Sequence, residues 1–296
     1  MRLSIVLGEW LDRPIEADLE VAVAADRLGY GEVWIGEMAK LDAPAAAAMV
    51  VAATQRIEPC IGPLPVTVRS PAQIALAVAT VASSGRRTHV ALGTSSAAVA
   101  RWHHRPRAGA AATLATAVAE VRALLAGDRV DGFRLRQPPR GATVTVAAFG
   151  PRAVEIAASA DRMVLNMVTD AAAERLAAHH ANTAVWLAAA VDPTAEERTW
   201  MALGYVAYLG AAGYAEMFEE AGFGELVAFA RTRPHPKELA ARLPEDLLDA
   251  VALVGTEAEV RRRIGAYAAA GVQEIALVVP PLDLPAGRRT LEALAP

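Results

Sequence analysis

The sequence is first informative for what it has little of. Cys60 is the only cysteine among 296 residues, so an internal disulfide is excluded and we expect a reducing, cytoplasmic setting. The longest basic run is residues 261–263, which fit the solvated face of an amphipathic helix, so nucleic acid is not an expected partner. No apolar run approaches the ~20 residues of a membrane helix, and the segment after Arg2 lacks the features of a signal peptide. These absences favour a globular protein that acts on small molecules, away from membranes.

Sequence motifs for metal and dinucleotide binding are also missing. Neither HExxH nor CxxC occurs. The adjacent pairs His103–His104 and His179–His180 would point to different sides of a helix, so no metal site is predicted. A glycine-rich G-x-G-x-x-G turn after the first strand would indicate a doubly wound nucleotide-binding sheet. Residues 7–12 read Leu-Gly-Glu-Trp-Leu-Asp instead.

What the sequence does contain is a nearly regular alternation of short apolar strands and alanine-rich helices. The predicted strands are residues 2–7, 32–35, 57–64, 88–93, 144–148, 163–166, 185–190 and 274–279. Helices are predicted between them, one of them capped by Asp170, and residues 130–136 are predicted to form a small extended insertion. Eight such strands in a chain of this length favour an α/β fold of the (β/α)8 TIM-barrel type, with residues 1–296 as one domain. The competing architecture is the doubly wound sheet.

One stretch breaks the alternation. Residues 193–249 form a predicted helical insertion between the seventh and eighth strands. Its aromatic residues are Trp200, Tyr205, Tyr208, Tyr214, Phe218, Phe223 and Phe229. Two interpretations remain open: the cluster is either a packed helical subdomain or dimer surface, or a lid over the barrel mouth that supplies apolar contacts to a substrate.

Several segments, taken in order along the chain, resemble the bacterial luciferase-like superfamily of flavin and deazaflavin oxidoreductases. They are residues 28–37 (LGYGEVWIGE), 64–71 (LPVTVRSP), 91–96 (ALGTSS), 101–103 (RWH), 147–152 (AAFGPR), 160–161 (AD), 164–166 (VLN), 254–260 (VGTEAEV) and 270–272 (AGV). The Gly-Thr-Ser-Ser run and the Trp-His pair are typical of the branch that uses the deazaflavin coenzyme F420. The resemblance covers most of the chain outside the insertion.

This resemblance implies a cofactor whose isoalloxazine-like ring lies in the barrel mouth. The residues it assigns to the cofactor are Met38, Gly62, Pro63, Leu64, Thr94, Phe149, Gly150, Pro151, Arg152 and Asn166. Family members often support the ring on a non-prolyl cis peptide in strand three, a position that aligns here with Gly62–Pro63. We expect this bond to be cis, since the cis form costs only about 0.5–1 kcal/mol before proline; the alternative is a trans proline in a strand-end kink.

The cofactor's phosphate would lie near Gly150, at the start of the fifth helix. Backbone amides and the helix dipole favour an anion there, and Arg152 would add a charged contact. The alternative is an ordinary helix start with Arg152 in solvent.

Two residues are candidates for proton transfer. Glu37 follows the second strand, where a desolvated glutamate would donate a proton as hydride arrives. His103 is the second candidate. The residues predicted to contact the substrate are Trp102, beside His103, and Glu9 and Trp10, which follow the first strand. Each candidate has an alternative interpretation. Glu37 would be exposed or paired with an arginine, and the Trp102–His103 pair would cover the edge of the core. The polar residues of the first loop would cap a helix.

Together these features predict an oxidoreductase, expected to be a homodimer. Reduced F420 would deliver hydride to the C=C or C=N bond of a small organic substrate. The close alternative is an FMN-dependent luciferase-like monooxygenase. Met38 stands where the family often has a histidine that approaches the ring, and the loop after Trp102 is shortened. A barrel that has lost flavin binding and serves as a small-molecule binding protein or non-redox catalyst is therefore a further alternative, and a scaffolding subunit is another.

Overall fold

The computed structural model describes residues 1–296, and its central feature is a closed cylinder of eight parallel strands. The eight strands of the cylinder are β1 (Arg2–Leu7), β2 (Glu32–Ile35), β3 (Glu58–Pro65), β4 (His89–Gly93), β5 (Val144–Ala147), β6 (Arg162–Asn166), β7 (Thr183–Val191) and β9 (Glu274–Val278). A ninth, short strand, β8 (Leu253–Gly255), pairs only with β7. Strands β1 to β6 pair in chain order, β9 lies between β1 and β7, and the β6–β7 pairing closes the cylinder. The predicted (β/α)8 barrel is confirmed, and closure excludes the doubly wound sheet.

Helices surround this cylinder and form the insertion that follows β7. They are α1 (Ile15–Leu28), α2 (Ala43–Ala53), α3 (Pro71–Ala82), α4 (Ala97–Trp102), α5 (Ala110–Ala126), α6 (Pro151–Ala157), α7 (Asp170–Ala177), α8 (Ala195–Leu203), α9 (Tyr214–Glu220), α10 (Gly224–Arg231), α11 (Pro236–Ala240), α12 (Leu247–Val251), α13 (Glu257–Ala269) and α14 (Pro285–Ala293). No helix is long and apolar enough to cross a bilayer.

Three local predictions need correction. The residue that caps α7 is Thr169, whose hydroxyl accepts from the Ala172 amide, because the helix begins one residue earlier than Asp170 would allow. The predicted extended insertion at 130–136 contains only an isolated bridge between Val130 and Phe133. The three-residue strand β8 was not predicted, because it is too short to show any periodicity.

Side chains alternate along each strand between the outer helices and the barrel interior. The interior cluster consists of Val6, Trp34, Cys60, Ala91, Val164, Ala184, Trp186, Ala276 and Val278. The Trp34 and Trp186 rings meet edge to face, with their centroids 5.6 Å apart. The two indoles fill the middle of the barrel and form a floor beneath its carboxyl-terminal mouth.

Below that floor, the amino-terminal half of the barrel holds a buried ionic network. The Arg162 guanidinium binds Glu274 at 2.7 Å and Glu32 at 2.6 Å. The Trp34 indole N–H and the Ser4 hydroxyl both donate to Oε1 of Glu274. Although burial opposes ionisation of Glu274, Arg162 and these donors outweigh it and hold the pKa of Glu274 below its usual value. The network closes the lower end of the barrel interior.

The insertion is fixed to the barrel at both of its ends. It leaves from the end of β7 and returns through β8, which pairs in parallel with residues 189–191 of β7. Inside it, the buried Tyr205 hydroxyl donates to the Val251 carbonyl at 3.2 Å. The Glu197 carboxylate in α8 accepts from the Ala286 amide of α14 at 3.0 Å. The predicted helical character of residues 193–249 therefore holds, with its packing directed onto the barrel.

Candidate active site at the barrel mouth

The predicted site residues follow the carboxyl ends of neighbouring parallel strands, so the fold brings their backbones to one rim. Glu9, Glu37, Thr94, Gly150 and Asn166 lie at or just beyond the ends of β1, β2, β4, β5 and β6. This rim is where barrel enzymes place their reacting groups. The topology therefore places the backbones of these residues around one opening of the barrel. The contacts of their side chains differ from one residue to the next.

One wall of the mouth is built of small residues from β3, β4 and β5. The Gly62–Pro63 bond is cis, as expected from the sequence, and the β3 register shifts between Ile61 and Leu64. A Cβ on Gly93 would meet only the Pro63 ring at 3.6 Å and the Ala147 methyl at 3.4 Å. Pro63 and Ala147 remain part-exposed. Because no large side chain covers this wall, it leaves a flat face open to a planar ring.

Position 62 requires glycine because neighbouring backbone atoms leave no room for a side chain. Its φ is +110°, and a Cβ there would lie 2.4 Å from both the Ala91 carbonyl oxygen and the Leu64 amide nitrogen. Any L-residue would collide with the backbone of β4. Gly62 and the buried Leu64 therefore shape the wall, and of the three residues from 62 to 64 only Pro63 keeps accessible surface.

Glu37 is engaged in a bidentate ion pair. Its two carboxylate oxygens accept from Arg69 Nε at 2.8 Å and Arg69 Nη2 at 2.7 Å, and it also accepts from the Ala43 amide at 2.9 Å. The hydrogen bond to Glu37 is the largest cause of a raised Arg69 pKa. This is the arginine-paired arrangement that the sequence left open, and three donors satisfy the ionised form of Glu37. The contacts fit a carboxylate that holds the β2–α2 loop in place better than they fit a proton donor.

Glu9 lies at the mouth, just beyond the end of β1. A Cβ on Gly36 would lie 3.0 Å from Oε1 of Glu9 and 3.7 Å from the Trp186 ring, which places the carboxyl close to the floor. Desolvation, followed by the nearby Asp18 carboxylate, raises the pKa of Glu9 to about 7. The side chain is only part-buried, and it makes no ion pair or hydrogen bond within the chain. A desolvated carboxyl that keeps accessible surface lies in a pocket rather than in the sealed core.

Aromatic residues of the insertion reach over this carboxyl. Trp200 stacks on Trp10, with centroids 4.2 Å apart and an interplanar angle of 20°. Tyr214 stacks on Phe149 with centroids 4.3 Å apart, and Tyr208 meets Tyr214 edge to face at 5.1 Å. These contacts join the insertion to the loops after β1 and β5. The geometry favours the lid interpretation for these three aromatics, whereas Tyr205 and Phe218 are buried within the insertion's own core.

Asn166 lies at the end of β6, near the lid tyrosines. Burial raises the pKa of Tyr208 to about 12 and that of Tyr214 further, and the Asn166 side chain lowers both in part. Both phenols therefore stay protonated at neutral pH and act as hydrogen-bonding groups. Only the aromatic content of residues 193–249 indicated this arrangement in advance.

Several predicted residues lie at the outer edge of the mouth. Trp102 is 56% exposed and Met38 is 41% exposed, and His103 at the end of α4 is exposed as well. Pro151 and Arg152 are exposed at the start of α6, where Arg152 contacts only Glu155, at 3.4 Å. Nothing within the chain covers these side chains, so their proposed roles depend on a bound molecule that extends outward from the wall.

The residues of the mouth fit a flat tricyclic cofactor. The wall at Pro63, Gly93 and Ala147 matches a planar ring, and a Cβ on Gly150 would meet nothing within 4 Å, which leaves the start of α6 open. The Trp186 indole N–H on the floor is buried and has no hydrogen-bond partner. No group of three His, Cys, Asp or Glu side chains is arranged to hold a metal ion.

A separate cavity of about 810 Å³ lies at the opposite end of the barrel. Its lining includes Glu32, Glu58, Arg87, Arg162 and Glu274, at the amino-terminal ends of the strands. These charged groups are already paired with one another, as in the 2.8 Å contact of Arg87 with Glu58. Such pairing at the amino-terminal face is typical of a stabilising network rather than of catalysis.

Comparison with proteins of known structure supports the same architecture. The chain is similar to an F420-dependent secondary alcohol dehydrogenase in complex with an F420–acetone adduct, at a TM-score of 0.77 and 17% identity over 98% of this chain and 97% of that one. It is similar to the coenzyme F420-dependent tetrahydromethanopterin reductase of Methanopyrus kandleri, at a TM-score of 0.81 and 17% identity over 99% and 97%. It also resembles the FMN-bound oxygenating component of 3,6-diketocamphane monooxygenase from Pseudomonas putida, at a TM-score of 0.71 and 15% identity over 100% and 97%.

Sequence comparison assigns the family. No curated protein matches the chain significantly. The profile of the luciferase-like monooxygenase family, however, matches residues 7–274, which contain β2 to β8 in full, together with the last residue of β1 and the first residue of β9. The resemblance that the sequence segments indicated is confirmed, and the chain belongs to the luciferase-like monooxygenase family of oxidoreductases.

Proposed function

We propose that this protein is a deazaflavin-dependent oxidoreductase that adds hydride to the electron-poor carbon of a C=N or C=C bond. The observation that carries the proposal is the Glu9 carboxyl, which is unpaired and part-exposed at the mouth, close to the Trp186 ring. Hydride addition to a double bond leaves a neighbouring atom that must take up a proton. A carboxyl with a pKa of about 7 holds that proton near neutral pH and releases it to a more basic acceptor.

The chain's own residues would orient the cofactor and exclude water. When bound, a reduced deazaflavin supplies hydride. The small-residue wall at Pro63 and Gly93 would support its ring, and Thr94 and Asn166 would offer hydrogen bonds at the ring's edge. Gly150 and Arg152 would contact its phosphate. Trp200 and Tyr214 would cover the opposite side and keep water away from the reacting carbon.

Glu9 takes over the proton-donor role that was predicted for Glu37. Both carboxylate oxygens of Glu37 are held by Arg69, whereas Glu9 has no cation beside it. His103 stays a second candidate, as an exposed residue at the end of α4. The choice of deazaflavin over FMN is supported by the fold comparison, since the two F420-dependent structures have higher TM-scores than the FMN-bound one.

Cofactor titration tests the proposal directly. Purified protein is titrated with F420 and with FMN, and binding is followed by absorbance and fluorescence of the ring. We expect saturable binding of F420, stronger than that of FMN. Stronger FMN binding would favour the monooxygenase alternative, and binding of neither below millimolar concentration would favour a barrel without redox chemistry.

Two substitutions of one residue locate the ring. Gly93→Ala is expected to retain F420 binding, because a methyl group there makes only ordinary contacts with Pro63 and Ala147. Gly93→Leu would fill the wall and weaken F420 binding by at least about tenfold, or 1.4 kcal/mol. Gly265→Ala, on an open stretch of α13, is the matched control. Equal binding by all three variants would place the ring elsewhere.

The remaining expectations stay predictions. A homodimer is testable by sedimentation velocity of the purified chain, and a cytoplasmic location by fractionation of the source cells. Neither bears on the chemistry proposed for the mouth.

A further inference from the structure

The side chains around Glu9 form an aromatic enclosure, which we call the mouth cage. It consists of two ring groups, the Trp10–Trp200 stack and the Phe149–Tyr214–Tyr208 group. Glu9 directly precedes Trp10 in the chain, and its charge acts on Tyr208 and Tyr214. All five rings pack against the core yet keep part of their surface accessible. Their contacts link two barrel loops to the insertion, and the Trp10 indole N–H is fixed by the Val279 carbonyl at 2.7 Å. The rings are therefore held in place before any ligand arrives.

The charges next to Glu9 leave its carboxyl without a counter-ion. Asp18, the nearby acid on α1, is bound by Lys40 at 2.5 Å and accepts from the Gly8 amide at 3.2 Å. Lys40 also donates to the Trp10 carbonyl at 3.0 Å, so its ammonium group is bound by Asp18 and Trp10 and does not pair with Glu9. The Arg13 guanidinium lies 5.9 Å from the centroid of the Trp200 ring, but it is paired with Asp283 at 2.8 Å. The other titratable groups that act on Glu9 are the protonated Tyr208 and Tyr214. No side chain of the protein thus neutralises Glu9 when it ionises.

An unpaired carboxylate beside part-exposed aromatic rings fits an organic cation. Aromatic rings attract a cation by about 0.5–1 kcal/mol at exposed positions and by about 2 kcal/mol or more when it is desolvated. A carboxylate at the base adds direct charge pairing. An anionic ligand would be repelled by Glu9 and by the π faces, and a neutral one would leave the carboxylate without a partner.

We propose that the mouth cage binds an organic cation, a protonated imine or alkylated amine, with its charge against Glu9 and its apolar flanks against the rings. This substrate class rests on the proposed function and selects C=N over C=C. The nitrogen of a neutral imine takes the proton from Glu9, which gives an iminium–carboxylate pair. The iminium carbon then accepts hydride from the reduced deazaflavin. The product is the amine. The deazaflavin, once it has given up hydride, would release its remaining proton to water as it becomes the oxidised ring, and Glu9 would take a proton back from water, so no net proton is consumed.

The test uses the cofactor-free protein, so it is independent of deazaflavin binding. The probes are choline and benzyltrimethylammonium, with 3,3-dimethylbutan-1-ol as the neutral isostere of choline. Binding is measured by calorimetry and by indole fluorescence at about pH 8, where Glu9 is ionised. We expect at least one of the two cations to bind at least about tenfold more tightly than the neutral alcohol. Lowering the pH to about 5, where Glu9 is neutral, should reduce this preference.

Substitutions identify the groups responsible. Glu9→Gln should abolish the preference for the cation, whereas Asp12→Asn, which removes an exposed carboxylate three residues away, should leave it intact. Equal binding of cations and alcohol, a preference that survives Glu9→Gln, or no saturable cation binding would overturn the inference. If the cations bind but F420 does not, the proposed function fails while the cation site stands. If F420 binds and the cations do not, the cation site alone is wrong.

Discussion

The guanidinium of Arg162 lies over the ring of Trp34, with its central carbon 4.1 Å from the ring centroid. The contact joins two layers of the barrel interior, because Trp34 belongs to the floor of the mouth and Arg162 to the ionic network beneath it. Stacking on the indole and pairing with Glu274 hold the guanidinium in one orientation. The mouth is therefore a blind pocket whose floor is supported from below.

Removal of the Arg162 charge should destabilise the whole fold. Arg162→Met leaves the part-buried Glu32 without its ion pair and leaves the buried Glu274 with Arg2 alone, at 3.1 Å, and we expect a loss of about 3–5 kcal/mol in the free energy of unfolding. Urea denaturation followed by circular dichroism measures the loss. Arg136→Gln, on an exposed side chain, is the control and should change stability by about 0.5 kcal/mol or less. A loss of similar size in both variants would contradict the role given to the network.

The stability of the protein should carry a pH signature from Glu9. Its pKa is raised from 4.5 to about 7 in the folded state, so the folded chain holds a proton that the unfolded chain has lost between these values. The free energy of unfolding contributed by Glu9 is therefore fully present below pH 4.5 and is lost as the pH rises through 7.

Glu9→Gln makes this signature measurable. At about pH 8 the variant should be more stable than the natural chain by about 1–2 kcal/mol, a value reduced for the accessible part of the carboxyl. The gain should shrink toward about pH 5. Denaturant titrations at both pH values supply the comparison, and a gain that is independent of pH would show that Glu9 has an ordinary pKa.

Kinetics should separate the roles of Glu9 and Glu37. Glu37→Gln weakens the Arg69 ion pair, and we expect a stability loss of about 1–3 kcal/mol, with the pH dependence of kcat/KM for imine reduction unchanged in position. Glu9→Gln should remove the inflection near pH 7. Steady-state assays with reduced F420 and a cyclic imine test both variants. If Glu37→Gln removes the inflection and Glu9→Gln keeps it, the proton donor is Glu37, as the sequence first suggested.

The Trp10–Trp200 stack should hold the lid closed. Trp200→Leu removes a ring whose centroid lies 4.2 Å from that of Trp10, at a cost of about 0.5–1.5 kcal/mol beyond the loss of buried area. We expect faster amide hydrogen exchange and proteolysis in residues 204–213, between α8 and α9. Leu203→Ala, an exposed neighbour on the same helix, is the control. Unchanged protection in Trp200→Leu would mean that the lid is held elsewhere.

Much of the barrel could be predicted from the sequence because its signals are local. Apolar runs bounded by glycine and proline mark the strands, and β1 and β2 begin and end where expected. Strand β6 begins one residue before the predicted 163–166 because Arg162 reads as a polar loop residue in isolation. Only its distant partner Glu274 explains a buried arginine inside the barrel.

The site was less predictable because its chemistry depends on distant partners. Glu37 and Arg69 are 32 residues apart, and nothing in the local sequence announces their ion pair. The stacks of Trp10 on Trp200 and of Phe149 on Tyr214 likewise depend on how the insertion folds back. Glu9 differs from the other carboxylates of the mouth because it has no counter-ion. The sequence cannot show this, because the residues around Glu9 are known only in the folded structure.

The nine-residue strand β7 is long enough to pair with β9 along one part and with β8 along another. Its residues 184–188 pair with β9 and complete the ring, whereas residues 189–191 pair with β8 and anchor the covering segment. Two tasks are thus assigned to separate parts of a single strand. The length and sequence of the insertion can therefore change without a change in the strand pairs that close the barrel. Exchange of the insertion is a direct way to alter substrate selectivity while the barrel stays the same.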